Sequence, residues 1–165
     1  MSRTRTVLFL VLSLALAGCN KSASVVPGEA QEMADVLTGD AAGDASDNRE
    51  CKKYTVAEIG AIVGTPVEAG ENAAMGTGCQ WSASNDKGFV MVQVVDAKDH
   101  NPPSGAPGFK ELSGVGTEGF IVPDPEGGSA GAIQGSHSIN IMITTGASEA
   151  QLLAFLREVL KRTPA

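Results

Sequence analysis

The chain has 165 residues, with 12 basic against 19 acidic side chains for a net charge of −7, and only 4% of it is aromatic. A balance this acidic repels phosphate backbones and anionic headgroups, so nucleic acid is excluded as a partner, and no basic patch with interleaved aromatics exists to read one. The length suits one domain plus extra chain, and 20 Gly with 8 Pro predict many turns around a modest core.

The first stretch, residues 1–18, carries a short cationic start at Arg3 and Arg5 and an apolar run from Val7 to Ala17 broken only by Ser13. That run is signal-peptide length, since a bilayer span needs about 20 apolar residues. It closes on Leu16-Ala17-Gly18-Cys19, which resembles the lipobox of bacterial lipoprotein precursors. The bland alternatives are an ordinary secretory signal with a chance cysteine and a short uncleaved anchor. The resemblance implies cleavage before Cys19, lipid on its sulfur and amine, and a palmitate-type anchor that holds the mature chain on a membrane. Several acyl chains bind durably where one binds marginally. Losing Arg3 and Arg5 turns 12 basic against 19 acidic residues into 10 against 19, so lipid rather than charge provides the attachment. Asn20, rather than Asp, after the cysteine implies the outer membrane, facing the periplasm, if the cell has two membranes.

Residues 19–50 read as the lipidated cysteine and a disordered acidic tether. Between Asn20 and Glu50 lie seven acidic residues, two basic ones and an Ala/Gly/Asp/Ser run, too little apolar surface to offset chain entropy. A short helix at Pro27–Leu37 is the one element expected there, and the charge serves solvation or docking to a basic partner or the cell wall.

A folded domain is expected over residues 51–163. Thr55-Val56-Ala57-Glu58 is a capping box, Val56, Ile59, Ile62 and Val63 recur at helical spacing, and Gly64-Thr65-Pro66 ends the helix. Pro66 to Gly78 reads as a loop or a frayed strand around Val67. Cys79–Ser82 and Phe89–Val95 form a hairpin about Ser84–Gly88, with Val90, Val92 and Val94 on one face and Phe89, Met91, Gln93 and Val95 on the other. Asp96 to Gly108 is a loop. Gly119–Val122, Ser129–Gln134 and Ser138–Thr145 are further strand candidates, the last with Ile139, Ile141 and Ile143 on one face. Ser148 then caps an amphipathic helix with Leu152, Phe155, Leu156, Val159 and Leu160 in one stripe. The expected fold is α+β: an antiparallel sheet of about four to five strands with both helices on one face.

Cys51 ahead of a capped helix ending in Gly64, then Cys79-Gln80-Trp81, Gly114-Val115-Gly116-Thr117-Glu118, a late strand and a C-terminal helix resembles the small paired-cysteine extracytoplasmic domain of certain actinobacterial lipoproteins of unknown function. That resemblance carries over no catalytic residue and no cofactor. Cysteine arithmetic points the same way: with Cys19 lipidated, Cys51 and Cys79 remain to pair in an oxidising compartment, the alternative being two metal-binding or reactive thiols.

Two catalytic patterns occur by spacing. Gly114-x-Gly116-x-x-Gly119 lacks the strand before and helix after that a dinucleotide loop requires. Gly127-Gly128-Ser129-Ala130-Gly131 has the nucleophile-elbow pattern but no helix after it, and His137 is the base a hydrolase would have to use. Asp96, Asp99 and His100 are the remaining metal-like cluster, with no fixed geometry. The expectation is therefore a non-enzymatic, membrane-anchored envelope lipoprotein that binds a protein or cell-wall partner, with no metal or cofactor. A structural role in envelope integrity and a small serine hydrolase using Ser129 and His137 are the alternatives.

Overall fold

The structure is a computed structural model that describes residues 45–165. The lipobox with Cys19, the tether up to residue 44 and the expected helix at Pro27–Leu37 lie outside these residues. Helix α1 (Val56–Val63) and helix α2 (Glu149–Arg162) flank seven strands: β1 (Glu71–Ala73), β2 (Gly78–Ser82), β3 (Phe89–Asp96), β4 (Lys110–Leu112), β5 (Thr117–Asp124), β6 (Gly127–Gln134) and β7 (His137–Ile143). They form one antiparallel sheet in the order β1-β2-β3-β7-β6-β5-β4.

The fold class is α+β as expected, but the strand count of four to five is corrected to seven. The additions are the two edge strands, each three residues long. Neither alternates in polarity, because an edge strand that short is held by its neighbour's hydrogen bonds rather than by a buried face. Val67 makes only an isolated bridge to Ala83.

Both helices form where the sequence places their caps. Thr55 and Glu58 make a reciprocal box at the start of α1, Ser148 and Gln151 do the same for α2, and Gly64 ends α1 in the left-handed conformation at φ 76°. The core occupies one face of the sheet. Cys79, Trp81, Val90, Val92, Ala130, Ile139, Ile141 and Ile143 meet Leu152, Phe155, Leu156 and Val159 of α2, and Ile59 and Val63 of α1. Ala130 and Ala132 keep β6 low on this face, which lets α2 lie across it.

Cys51 and Cys79 are joined by a disulfide across 28 positions, so the alternative of two free thiols is not what this fold holds. The bond ties the turn at Cys51–Lys53 to β2. The packed chain begins earlier than the expected boundary at Cys51, because Asn48 and Glu50 are both buried. Asn48 explains why: its amide nitrogen donates to Asn72 Oδ1 at 2.7 Å and the Gly78 carbonyl at 2.8 Å, while its Oδ1 accepts from the Glu50 amide at 2.7 Å. One side chain thus satisfies backbone groups at the β1–β2 edge that would otherwise be left unpaired.

Arg162 closes the other side. Its guanidinium lies 4.6 Å over the Tyr54 ring, donates to Glu58 and Glu158 at 2.9 Å each, and also donates to the Lys53 carbonyl. Burial raises the Tyr54 phenol well above its ordinary value. The hydrogen bond from Arg162, then those from Thr55, pull Glu58 from 4.5 down to about 2. A carboxylate with a depressed folded value contributes stability that is present above its unfolded value and is lost as pH falls toward the folded one. The Arg162→Met variant is therefore expected to unfold at lower temperature at pH 7, with the gap to the parent chain narrowing between pH 4.5 and about 2. Melting curves by circular dichroism across that window check it. A gap that stays constant through the acid range contradicts the assignment.

Candidate functional site

With the core on one face, the second face of the sheet has no helix to cover it. It carries Phe89, Met91, Gln93 and Val95 from β3; the last three pair with Met142, Asn140 and Ser138 of β7, which in turn pair with Ser129, Gly131 and Ile133 of β6. Phe120 and Val122 of β5 extend it on one side, and Gln80 and Ser82 of β2, opposite Met91 and Phe89, on the other.

Half of this face is roofed by the segment 97–109. His100 Nδ1 lies 2.9 Å from Ser138 Oγ, and Nε2 lies 3.3 Å from the Glu118 carbonyl. A carbonyl only accepts, so Nε2 carries a proton, and in the neutral ring Nδ1 then accepts from the Ser138 hydroxyl. The His100 and Phe109 rings each sit 6.0 Å from Phe120, Phe109 stacked on it. Phe120 is buried by this roof, separately from the main core. Gly131 is what admits it: a Cβ there would come within 2.7 Å of the Phe120 ring and 2.6 Å of the Ile139 carbonyl. Ser138 is fully buried, so its hydroxyl pins the roof to the sheet and has no open side from which to attack a substrate.

The other half is bare. Met91 and Met142 are paired neighbours, Phe89 and Val122 are half-buried, and Met142 is 37% exposed. Two clefts open on this side of the sheet, one on the bare half and one at the edge of the roof. One of about 220 Å³ is lined by Val122, Ser129 and Met142 with Asp124 and Glu126 at its rim. The other, of about 350 Å³, lies beside the roof and is lined by Pro102, Phe109 and Leu112 with Glu111 and Glu118. Glu118 holds a φ of 52°, uncommon for a residue with a side chain. A third depression, of about 420 Å³, runs along α1 between Val56 and Val67 and has no charged group in its lining.

Charge is distributed unevenly around these surfaces. Arg49, Lys52, Lys53, Lys98, Lys110, Lys161 and Arg162 are all engaged in ion pairs, most of them local or on the helix side. Among the described residues, Glu111, Glu118, Asp124 and Glu126 have no cation within ion-pair distance. Neither of the two clefts on the second face has a Lys or Arg in its lining.

Ser129 pairs with Met142 on the second face, whereas His137 pairs with Gln134 on the parity of the core face. They are about 17 Å apart along the ladder on opposite sides of the sheet, so they do not form a nucleophile and base. Gly114 and Gly116 lead into β5 and Gly119 lies within it, a strand and not a helix. Asp96 and Asp99 do not gather around His100: Asp96 instead accepts from the Lys98 amide, which lowers its carboxyl below the usual range. Among the described residues no three His, Cys, Asp or Glu side chains converge, and no helix is long and apolar enough to cross a membrane. The His100–Ser138 pair was not visible in the sequence, since its members are 38 positions apart and only β3–β7 pairing with the return of the loop brings them together. In comparisons with known proteins, no family model, no curated protein and no solved structure matches the chain.

Proposed function

We propose that the chain is a lipid-anchored protein of the cell envelope whose folded domain, residues 45–165, binds a protein or cell-wall partner and performs no catalysis. The observation that carries the binding role is the bare half of the second sheet face, with Met142 37% exposed in the lining of the cleft beside Val122 and Ser129. A central β7 residue so placed leaves apolar area in water that a partner would remove. The separation of Ser129 from His137 favours binding over hydrolysis. The anchor rests on Leu16-Ala17-Gly18-Cys19 and on the acidic segment after it, which sets the domain off the membrane.

Two experiments test this reading. Cys19→Ser is expected to move the protein from the membrane fraction to the soluble fraction while its melting temperature stays unchanged; retention on the membrane would overturn the anchor. Chemical crosslinking of the lipidated chain in intact envelopes is expected to give an adduct that saturates with expression, and its absence at native abundance would overturn the binding role.

A further inference from the structure

We propose that the bare half of the second face, between the Glu111/Glu118 cleft and the Asp124/Glu126 rim, receives a protein segment that carries Lys or Arg next to apolar side chains. The inference rests on the binding role above and specifies its partner.

The shape of the surface comes first. Glu111 pairs opposite Phe120, and Asp124 ends the same strand, so the two acidic groups stand about 13 Å apart along β5. That is the span of about four residues of an extended peptide. Between them lies Val122, with Ser129 and Met142 beside it across the ladder. An incoming segment therefore meets apolar ground in the middle and carboxylates at both ends.

The charge then selects among occupants. The acids at both ends have no cation within ion-pair distance among the described residues, while seven basic side chains are already committed to ion pairs elsewhere. Lys87, at the hairpin end, lines an adjoining cleft with Glu126 but lies beyond ion-pair distance of it. Like charges brought face to face cost free energy, so a second copy laid symmetrically on the same strip is disfavoured, as is an anionic lipid surface. A cationic segment gains at both ends, and the stacked Phe109 in the wall of the larger cleft offers a further contact to a guanidinium or ammonium. Opposite charge at an interface rim acts mainly on encounter rate and specificity, and the apolar centre supplies the burial.

The test is site-specific photocrosslinking of the full lipidated chain in native envelopes. A benzophenone amino acid is placed at Met142 in one strain and at Arg157, exposed on α2, in another. An adduct is expected from position 142 and not from 157, with Lys or Arg in the linked partner peptide. Combining Glu111→Gln, Glu118→Gln, Asp124→Asn and Glu126→Gln is expected to lower the adduct yield about tenfold, and added salt to lower it further. Asn at 124 keeps an acceptor for the Glu126 amide, and an unchanged urea midpoint shows that the variant is folded. An adduct indifferent to the four substitutions, or one between two copies of this chain, overturns the inference. An adduct from 157 alone overturns it while leaving the binding role intact, and no adduct from either position overturns both.

Discussion

Replacing both half-cystines, as Cys51→Ala with Cys79→Ala, is expected to lower the unfolding free energy by about 3.5 kcal/mol, the chain-entropy value for a loop of this length. The link closes 28 positions of chain that, once unfolded, would otherwise explore freely. For a domain whose whole stability is about 5–15 kcal/mol, that is a large fraction. The native side changes less. Asn48 still holds the entering segment to the β1–β2 edge through its amide, so the turn at Cys51–Lys53 stays docked when the sulfurs are gone. The single variants are less informative, because each leaves a free thiol, and Cys79 is fully buried. Urea unfolding followed by circular dichroism checks the expectation. The double variant and the reduced parent chain should show the same lowered midpoint, with a steeper dependence on urea because the unlinked denatured chain exposes more surface. A midpoint within experimental error of the oxidised parent would mean that the docked segment, and not the covalent link, secures this end of the sheet.

Truncation of Trp81 to Ala is expected to cost about 3–5 kcal/mol, the range for removing a large buried aromatic. Trp81 is 1% exposed on β2, opposite Val90, and its ring meets Tyr54 edge-on at 5.8 Å. Tyr54 in turn packs edge-on against Phe155 of α2 at 6.0 Å and carries the Arg162 guanidinium on its face. Trp81 is therefore the first ring in a stack that joins β2 to the C-terminal helix, and its loss removes support from each ring after it. Trp81→Phe should cost much less, since it keeps an aromatic edge in the same place. Thermal unfolding by far-ultraviolet circular dichroism gives the comparison, since the chain's single tryptophan is lost in both variants. Equal costs for the Ala and Phe variants would show that the ring stack carries little. Cys79 and Trp81 share one face of the same strand, so the two large losses should not add when combined, because both loosen the same junction.

Local chemistry made much of the fold legible. The Thr55–Glu58 capping box and the Ser148 cap depend on residues within three positions of one another that meet wherever a helix starts, and the structure adds Gln151 as the reciprocal partner of Ser148. The two faces of β3 and β7 followed from alternation, since neighbouring side chains on a strand point to opposite sides. A central place for β3 followed from its being apolar on both faces. The edge strands did not show, because Glu71-Asn72-Ala73 and Lys110-Glu111-Leu112 have no buried face of their own and take their conformation from β2 and β5. Nor did the start of the packed chain: Asn48 looks like any polar residue of an acidic stretch until Asn72, Gly76 and Gly78 are beside it.

The candidate surface divides in the same way. That the face of Phe89, Met91 and Met142 exists is a consequence of period-two patterning in single strands. Only the tertiary structure decided that the helices take the opposite face, that His100 and Phe109 fold back to roof half of this one, and that Glu111, Glu118, Asp124 and Glu126 border the remainder. The sequence by itself determined what depends on near neighbours: the caps, the alternation and the acidic balance. The Cys51–Cys79 link across 28 positions was readable by counting cysteines, whereas the meeting of His100 with Ser138 across 38 depends on strand order and on a loop's return path, which no local spacing encodes.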